Sequence, residues 1–161
     1  LARAQVEGRL HRNFQGYTTR PECDLVAFGI SAIGKVGRTY AANVKTLDEY
    51  YERLDRGILP VKRGYQLTDD DLVRRDAIAR LMCDFALSPR AFGARHGLRF
   101  EEHFAPELAA LAPLAADGLV EITPEAIRVT PRGRLLVRSA AMLFDRHLRG
   151  VAARAKYSKV I

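Results

Sequence analysis

Apolar residues are spaced very differently along the two parts of this chain. From residue 69 onward they recur every three or four positions, the period of a helix with one buried face. Leu72, Ile78, Leu81 and Met82 predict a helix over 69–83, and Phe104, Leu108, Leu111 and Leu114 predict another over 102–116. Local punctuation agrees. Thr68 is placed to cap the first, with Asp69, Asp70 and Asp71 loading its positive end. Ser88 and Pro89 open a shorter helix that Gly97 stops, and Gly118 stops the helix over 102–116. Alternation then takes over: 119–122 and 126–129 read as strands around a Thr123-Pro124-Glu125 turn. Thr130 and Pro131 offer a cap and first-turn proline for a final helix over 131–148.

Before residue 60 the periods are short. Residues 11–19 have no helical period and read as strand or loop. The apolar run 24–30 predicts a buried strand leading into a glycine-punctuated turn over 31–37. Thr46 and Glu49 predict a capping box for a helix over 46–55. The opening residues, Leu1 to Gly8, read as the middle and end of a helix with no cap and no initiator methionine. The expectation is a piece of a longer chain. The fold class expected is α+β, mainly helical, in two parts: residues 1–60, and a domain over 61–161 with the winged-helix-like order of three helices, hairpin and helix.

Of the 161 residues 48% are hydrophobic, enough for a packed core. Apolar stretches are short and broken by charge, so no membrane span is predicted, and without a signal-like leader a cytoplasmic setting is expected. The net charge of +7 raises the question of nucleic acid. Residues 1–60 carry 9 Lys+Arg against 7 Asp+Glu, residues 61–145 carry 12 against 12, and residues 146–161 carry 5 against none. The basicity is thus mainly on the tail, where Arg149, Arg154, Lys156 and Lys159 either are solvated or pack back through Tyr157, Val160 and Ile161. The segment from Glu101 to Asp117 holds Glu101, Glu102, Glu107 and Asp117 and no Lys or Arg, so a DNA-reading helix there would be repelled by phosphate. A stand-alone winged-helix module for nucleic acid or protein is the alternative reading, sustained by Arg132, Arg134, Arg138 and the tail.

The two cysteines, Cys23 and Cys83, are 60 positions apart, and neither has a second ligand at metal spacing. Both are expected to be reduced thiols, at least one buried. His96, His103 and His147 sit near predicted helix ends, where capping or dipole contacts account for them, and carry no catalytic assignment. Gly29, Gly34 and Gly37 form a loose cluster, of interest because ligands of parallel α/β sheets lie beyond the carboxyl ends of strands.

The run from His11 through Asn13, Phe14, Gln15, Gly16 and Tyr17 to Thr19, then Asp24-Leu25, Gly29 and Ser31-Ala32-Ile33, resembles the C-terminal third of the oxygen-independent coproporphyrinogen III oxidases, a radical S-adenosylmethionine family. The resemblance continues through Arg74-Arg75-Asp76, Leu111-Ala112-Pro113-Leu114-Ala115, Asp117-Gly118-Leu119-Val120 and Gly133-Arg134-Leu135-Leu136 to Tyr157-Ser158-Lys159-Val160-Ile161. It implies that residues 1–60 end a radical-SAM α/β barrel and that 61–161 are the mostly helical C-terminal domain. It implies a parent enzyme that oxidatively decarboxylates two propionates of coproporphyrinogen III to vinyl groups, using S-adenosylmethionine and a [4Fe-4S] cluster. Ile33 would line an S-adenosylmethionine site, and Phe14 and Gln15 would face the active site. The family's cluster is held by Cys-x-x-x-Cys-x-x-Cys, and this chain has no such run, so by itself it is expected to hold no cluster and turn over no substrate. Its expected partners are coproporphyrinogen III and S-adenosylmethionine, met through the rest of the barrel, with no nucleic acid and no membrane. The parent is expected to be a monomer, and the isolated chain to self-associate through residues 24–30. The substrate has four carboxylates, and Arg12 is the nearest basic candidate by sequence.

Overall fold

A computed structural model describes residues 1–20 and 23–148. The basic residues from Arg149 onward, and the anchoring role considered for Tyr157, Val160 and Ile161, lie outside the described residues. A short helix α1 (Ala2–Val6) leads into a hairpin of β1 (His11–Asn13) and β2 (Gly16–Thr18). A second unit follows: β3 (Ile33–Val36), β4 (Thr39–Asn43), α2 (Leu47–Asp55) and β5 (Val61–Gln66), in a sheet ordered β3-β4-β5. The remainder is α3 (Asp69–Asp84), β6 (Ala86–Leu87), α4 (Pro89–His96), α5 (Phe100–His103), α6 (Ala105–Ala116), β7 (Val120–Ile122), β8 (Ile127–Val129) and α7 (Val137–Met142). Its small sheet runs β6-β8-β7. All strand pairs among the described residues are antiparallel. The mixed helix-and-sheet class is as expected. No helix among the described residues is long and apolar enough to cross a membrane.

Local chemistry explains most of the helices. Thr68 accepts from the Asp71 backbone N–H, and the Asp71 carboxylate reaches back to the Thr68 N–H, closing a capping box at α3. Ser88 caps α4, and Gly97 ends it at φ 63°. At α2 the expected box does not form: Thr46 makes no side-chain cap bond, and the Glu49 carboxylate that would supply the reciprocal bond pairs instead with Arg53 at 2.9 Å and Lys62 at 3.1 Å. The helix expected over 102–116 breaks at Phe104 into α5 and α6. Pro106 accounts for the break: it has no amide hydrogen to donate to the Glu102 carbonyl and its ring crowds that carbonyl, so it takes a first-turn position of a new helix, whereas Pro113 is accommodated inside α6. The helix expected over 131–148 is replaced by a 3-10 turn (Gly133–Leu136), α7 and a second 3-10 turn (Arg146–Leu148). Its inward positions, Gly133, Val137, Ala140, Ala141 and Phe144, keep helical spacing although the hydrogen bonding does not.

The core lies in the C-terminal part, around Leu81, Phe92, Phe100, Phe104, Leu111, Ile127 and Phe144. Each such side chain removed from water contributes roughly 1.5–3 kcal/mol. Phe104 stands at its centre, with ring centroids 4.8 Å from Phe100 and 5.2 Å from Phe144. Leu10 joins the same cluster, and Gln5 donates to the Cys83 carbonyl at 2.8 Å, so the N-terminal segment is tied to α3. Cys83 is buried and Cys23 exposed, as the composition led one to expect.

The buried strand expected over 24–30 is not formed. Its ladder is a single bridge, Leu25 to Lys35, and Val26 and Phe28 are 66% and 83% exposed. Leu25, Ala27 and Gly29 turn inward while the alternate residues face solvent. Nor does the glycine cluster follow a parallel strand. At Gly34 a Cβ would sit 2.7 Å from the Leu25 carbonyl oxygen, so this glycine admits a crossing backbone.

Candidate functional site

In an antiparallel sheet, residues directly opposite share a face, as do alternate residues along a strand. Ile33 lies opposite Ala42, and Ala42 opposite Arg63; Lys35 lies opposite Tyr40, and Tyr40 opposite Tyr65. Ile33, Lys35, Tyr40, Ala42, Arg63 and Tyr65 therefore line one face of β3-β4-β5. The hairpin tip reaches this face. Phe14 sets its ring edge-on to Tyr40, centroids 5.2 Å apart and planes at 89°, yet remains 55% exposed. Asn13 shapes the tip by accepting from the Gln15 N–H at 2.8 Å, which leaves Gln15 exposed beside Phe14. The fold thus brings Phe14 to the face that carries the half-buried Ile33. Arg12, the basic residue singled out from sequence, packs its guanidinium over Tyr17 at 5.7 Å.

The same face runs into a cleft of about 240 Å³ between the sheet, α3 and the turn Arg146–Leu148. Tyr40, Tyr65, Arg75, Arg146 and His147 are among its walls. The Tyr65 ring meets His147 edge-on at 5.1 Å, and its hydroxyl donates to Asp71 at 2.9 Å. Arg146 bonds Asp71 at 2.9 Å and Asp70 at 3.1 Å. Behind them Arg74 bonds Asp70 at 2.8 Å, the wholly buried Glu107, and the Phe144 carbonyl at 3.3 Å. All three helix-end histidines engage aspartates of α3: His96 with Asp76 at 2.8 Å, His103 with Asp70 at 2.9 Å, His147 with Asp71 at 2.8 Å. Carboxylate contacts, rather than the capping or dipole contacts expected, account for them.

These partners set the carboxyl groups' acidity. Burial works to raise Asp71, but the Thr68 amide and hydroxyl, His147 and Tyr65 outweigh it and hold the carboxyl well below its ordinary range. Asp70 is lowered against the same burial effect by Arg74 and His103, and Asp76 by His96 and Arg80. A folded-state pKa below the unfolded one contributes stability that is present above the unfolded value, about 3.9 for Asp, and lost as pH falls through the folded value. Urea unfolding from about pH 6 to about pH 2 is expected to show a midpoint that declines below about pH 4. Asp71→Asn is expected to flatten the decline; equal pH slopes in both proteins would assign it to other groups.

No group of three or more His, Cys, Asp or Glu side chains among the described residues is arranged to hold a metal ion. Burial pushes the Cys83 thiol up, away from the thiolate an iron ligand must be. The described residues, with Cys23 exposed and Cys83 buried, do not fit an iron–sulfur cluster.

Residues 67–136 match the family model described as the HemN C-terminal domain. The whole chain is 46% identical to an oxygen-independent coproporphyrinogen III oxidase of Synechocystis and 48% identical to that of Salmonella typhimurium, covering 35% of each. It is 47% identical to that of Escherichia coli over 161 residues, again 35% of that protein. A solved structure of the Escherichia coli protein, described as coproporphyrinogen III oxidase (HemN), a radical SAM enzyme, superposes on 91% of this chain and 34% of its own, at 48% identity and a TM-score of 0.86. The chain thus spans about a third of the length of these relatives. The matched model begins one residue after β5, the last strand of the β3-β4-β5 sheet.

Proposed function

We propose, from the premise that this chain belongs with the C-terminal part of the oxygen-independent coproporphyrinogen III oxidases and that residues 67–136 are a HemN C-terminal domain, that it serves a radical S-adenosylmethionine enzyme converting coproporphyrinogen III to protoporphyrinogen IX. One observation carries the site assignment: Phe14 and Ile33, 19 positions apart in sequence, meet the same face of one sheet, through the Phe14–Tyr40 contact and the Ile33–Ala42 register. In this reading residues 1–60, with the strand β5 that completes their sheet, end the catalytic barrel region, and the mostly helical domain that follows is a winged-helix-like cover. The cluster would be held elsewhere in the parent protein and would supply the electron needed to cleave S-adenosylmethionine. This chain supplies shape. Ile33 gives an aliphatic wall, Phe14 an exposed aromatic edge, and Gln15 an amide able to donate and accept at the tip. The parent is taken to work as a cytoplasmic monomer without nucleic acid. The exposed run 24–30 is the surface through which the isolated chain would self-associate.

The test uses the full-length protein with its cluster reconstituted. Ile33→Ala and Phe14→Ala are each expected to raise the S-adenosylmethionine KM on the order of 10-fold, the loss that follows from one well-packed apolar contact. Unchanged S-adenosylmethionine kinetics in both would refute the assignment.

A further inference from the structure

The face that carries Ile33 also carries charge that the cofactor assignment leaves unused. Its six side chains are two aliphatics, two phenols and two cations, with no carboxylate among them. Arg63 is the more exposed cation, and its guanidinium has no hydrogen bond or ion pair among the described residues. Its neighbours differ: Lys62 is paired with Glu49, and Arg53 with Glu49 and the Val61 carbonyl. The register sets Arg63 two strands from Ile33, in the same row across β4, with the small Ala42 between. Two strand spacings amount to about 10 Å. A guanidinium at that distance from the cofactor wall, flanked by Tyr65 and separated from it by only a methyl side chain, suits a flat apolar ligand that carries carboxylates at its rim. Arg presents a planar fork that binds carboxylate by two parallel hydrogen bonds.

We infer that Arg63 receives a propionate carboxylate of the tetrapyrrole substrate and fixes which side chain of the ring lies against the Ile33 wall. The inference rests on the preceding reading of the site. The carboxylate of S-adenosylmethionine is the competing anion, and the kinetics of Arg63 variants toward each ligand separate the two. Arg63 displaces Arg12 in this role: Arg12 is engaged with Tyr17, and the register does not place it on the face.

The experiment compares full-length Arg63→Met and Arg63→Lys with the unmodified protein, using thermal unfolding to confirm equal folding. Arg63→Met is expected to raise the coproporphyrinogen III KM roughly 10- to 100-fold, the loss that accompanies a charge-assisted hydrogen bond. It is expected to weaken binding of the stable oxidised analogue coproporphyrin III in parallel, and to leave the S-adenosylmethionine KM in place. Arg63→Lys should recover part of the loss. Unchanged porphyrin binding, or a rise confined to the S-adenosylmethionine KM, overturns the inference. Phe14 and Ile33 variants with normal S-adenosylmethionine kinetics remove the cofactor wall but leave the Arg63 effect on porphyrin binding to be scored, so the two failures are distinguishable. Absence of turnover by the unmodified full-length protein overturns both.

Discussion

Arg74→Met is expected to lower the stability of the fold by about 3–5 kcal/mol, because it removes the guanidinium that faces the buried Glu107 carboxylate, while Asp70 keeps His103 and Arg146. The Glu107 side chain is fully buried and that of Arg74 is 12% exposed. Taking these charges out of water is tolerable only while they face each other, with Asp70 and the Phe144 carbonyl completing the arginine's donors and the Phe104 ring 5.4 Å beneath it. Methionine preserves much of the apolar volume, so the loss reports on charge rather than packing. Glu107→Leu added to Arg74→Met is expected to recover most of the deficit, since removing a whole buried pair is far less costly than removing half of it. Urea unfolding of the four proteins of this cycle measures the coupling. Equal losses for the single and double variants would show that the arginine acts through packing alone.

Gly133→Ala is expected to be as severe, costing about 3 kcal/mol or more by forcing backbone apart. A Cβ at this position would lie 1.9 Å from the Leu119 carbonyl oxygen and 2.8 Å from its carbon. Neither atom can swing aside as a side-chain tip would. The same carbonyl accepts from the Thr130 N–H at 3.0 Å, and the Thr130 hydroxyl accepts from the Gly133 N–H at 3.0 Å, so the hairpin end and the turn Gly133–Leu136 are laced together. Gly64→Ala is the matched control. Its Cβ would meet only the Tyr40 carbonyl oxygen, at 3.4 Å, and a change within about 1 kcal/mol is expected. Thermal or urea midpoints decide; similar shifts for both variants would place the strain elsewhere.

The contrast between these positions shows what could be read in advance. The caps at Thr68 and Ser88 and the stop at Gly97 were legible, because each depends on atoms within a few residues. The breaks at Phe104 and after Gly133 were not. Helical spacing persists through both, and only Pro106 gave notice of the first. At the site, Phe14, Gln15 and Ile33 came from motif resemblance, whereas Tyr40, Tyr65 and Arg63 carried no signal of their own. The alternation in 61–66 was available, but which face it served depended on pairing with β4. The Asp–His pairs were hidden for the same reason: their members are 20, 33 and 76 positions apart.

What the amino-acid order determined by itself was therefore the helix starts at Thr68 and Ser88, the hairpin at 120–129 and the family likeness, all consequences of local backbone chemistry or of contiguous motifs. Tertiary structure alone decided that the run 24–30 stays largely exposed, that Glu107 is buried against Arg74, and that one sheet face gathers an aliphatic wall, two phenols and a guanidinium with no partner among the described residues. The physical reason is register: a one-residue slip in a β-ladder exchanges the two faces, and long-range packing of the antiparallel strands selects which of them meets Phe14 at the hairpin tip.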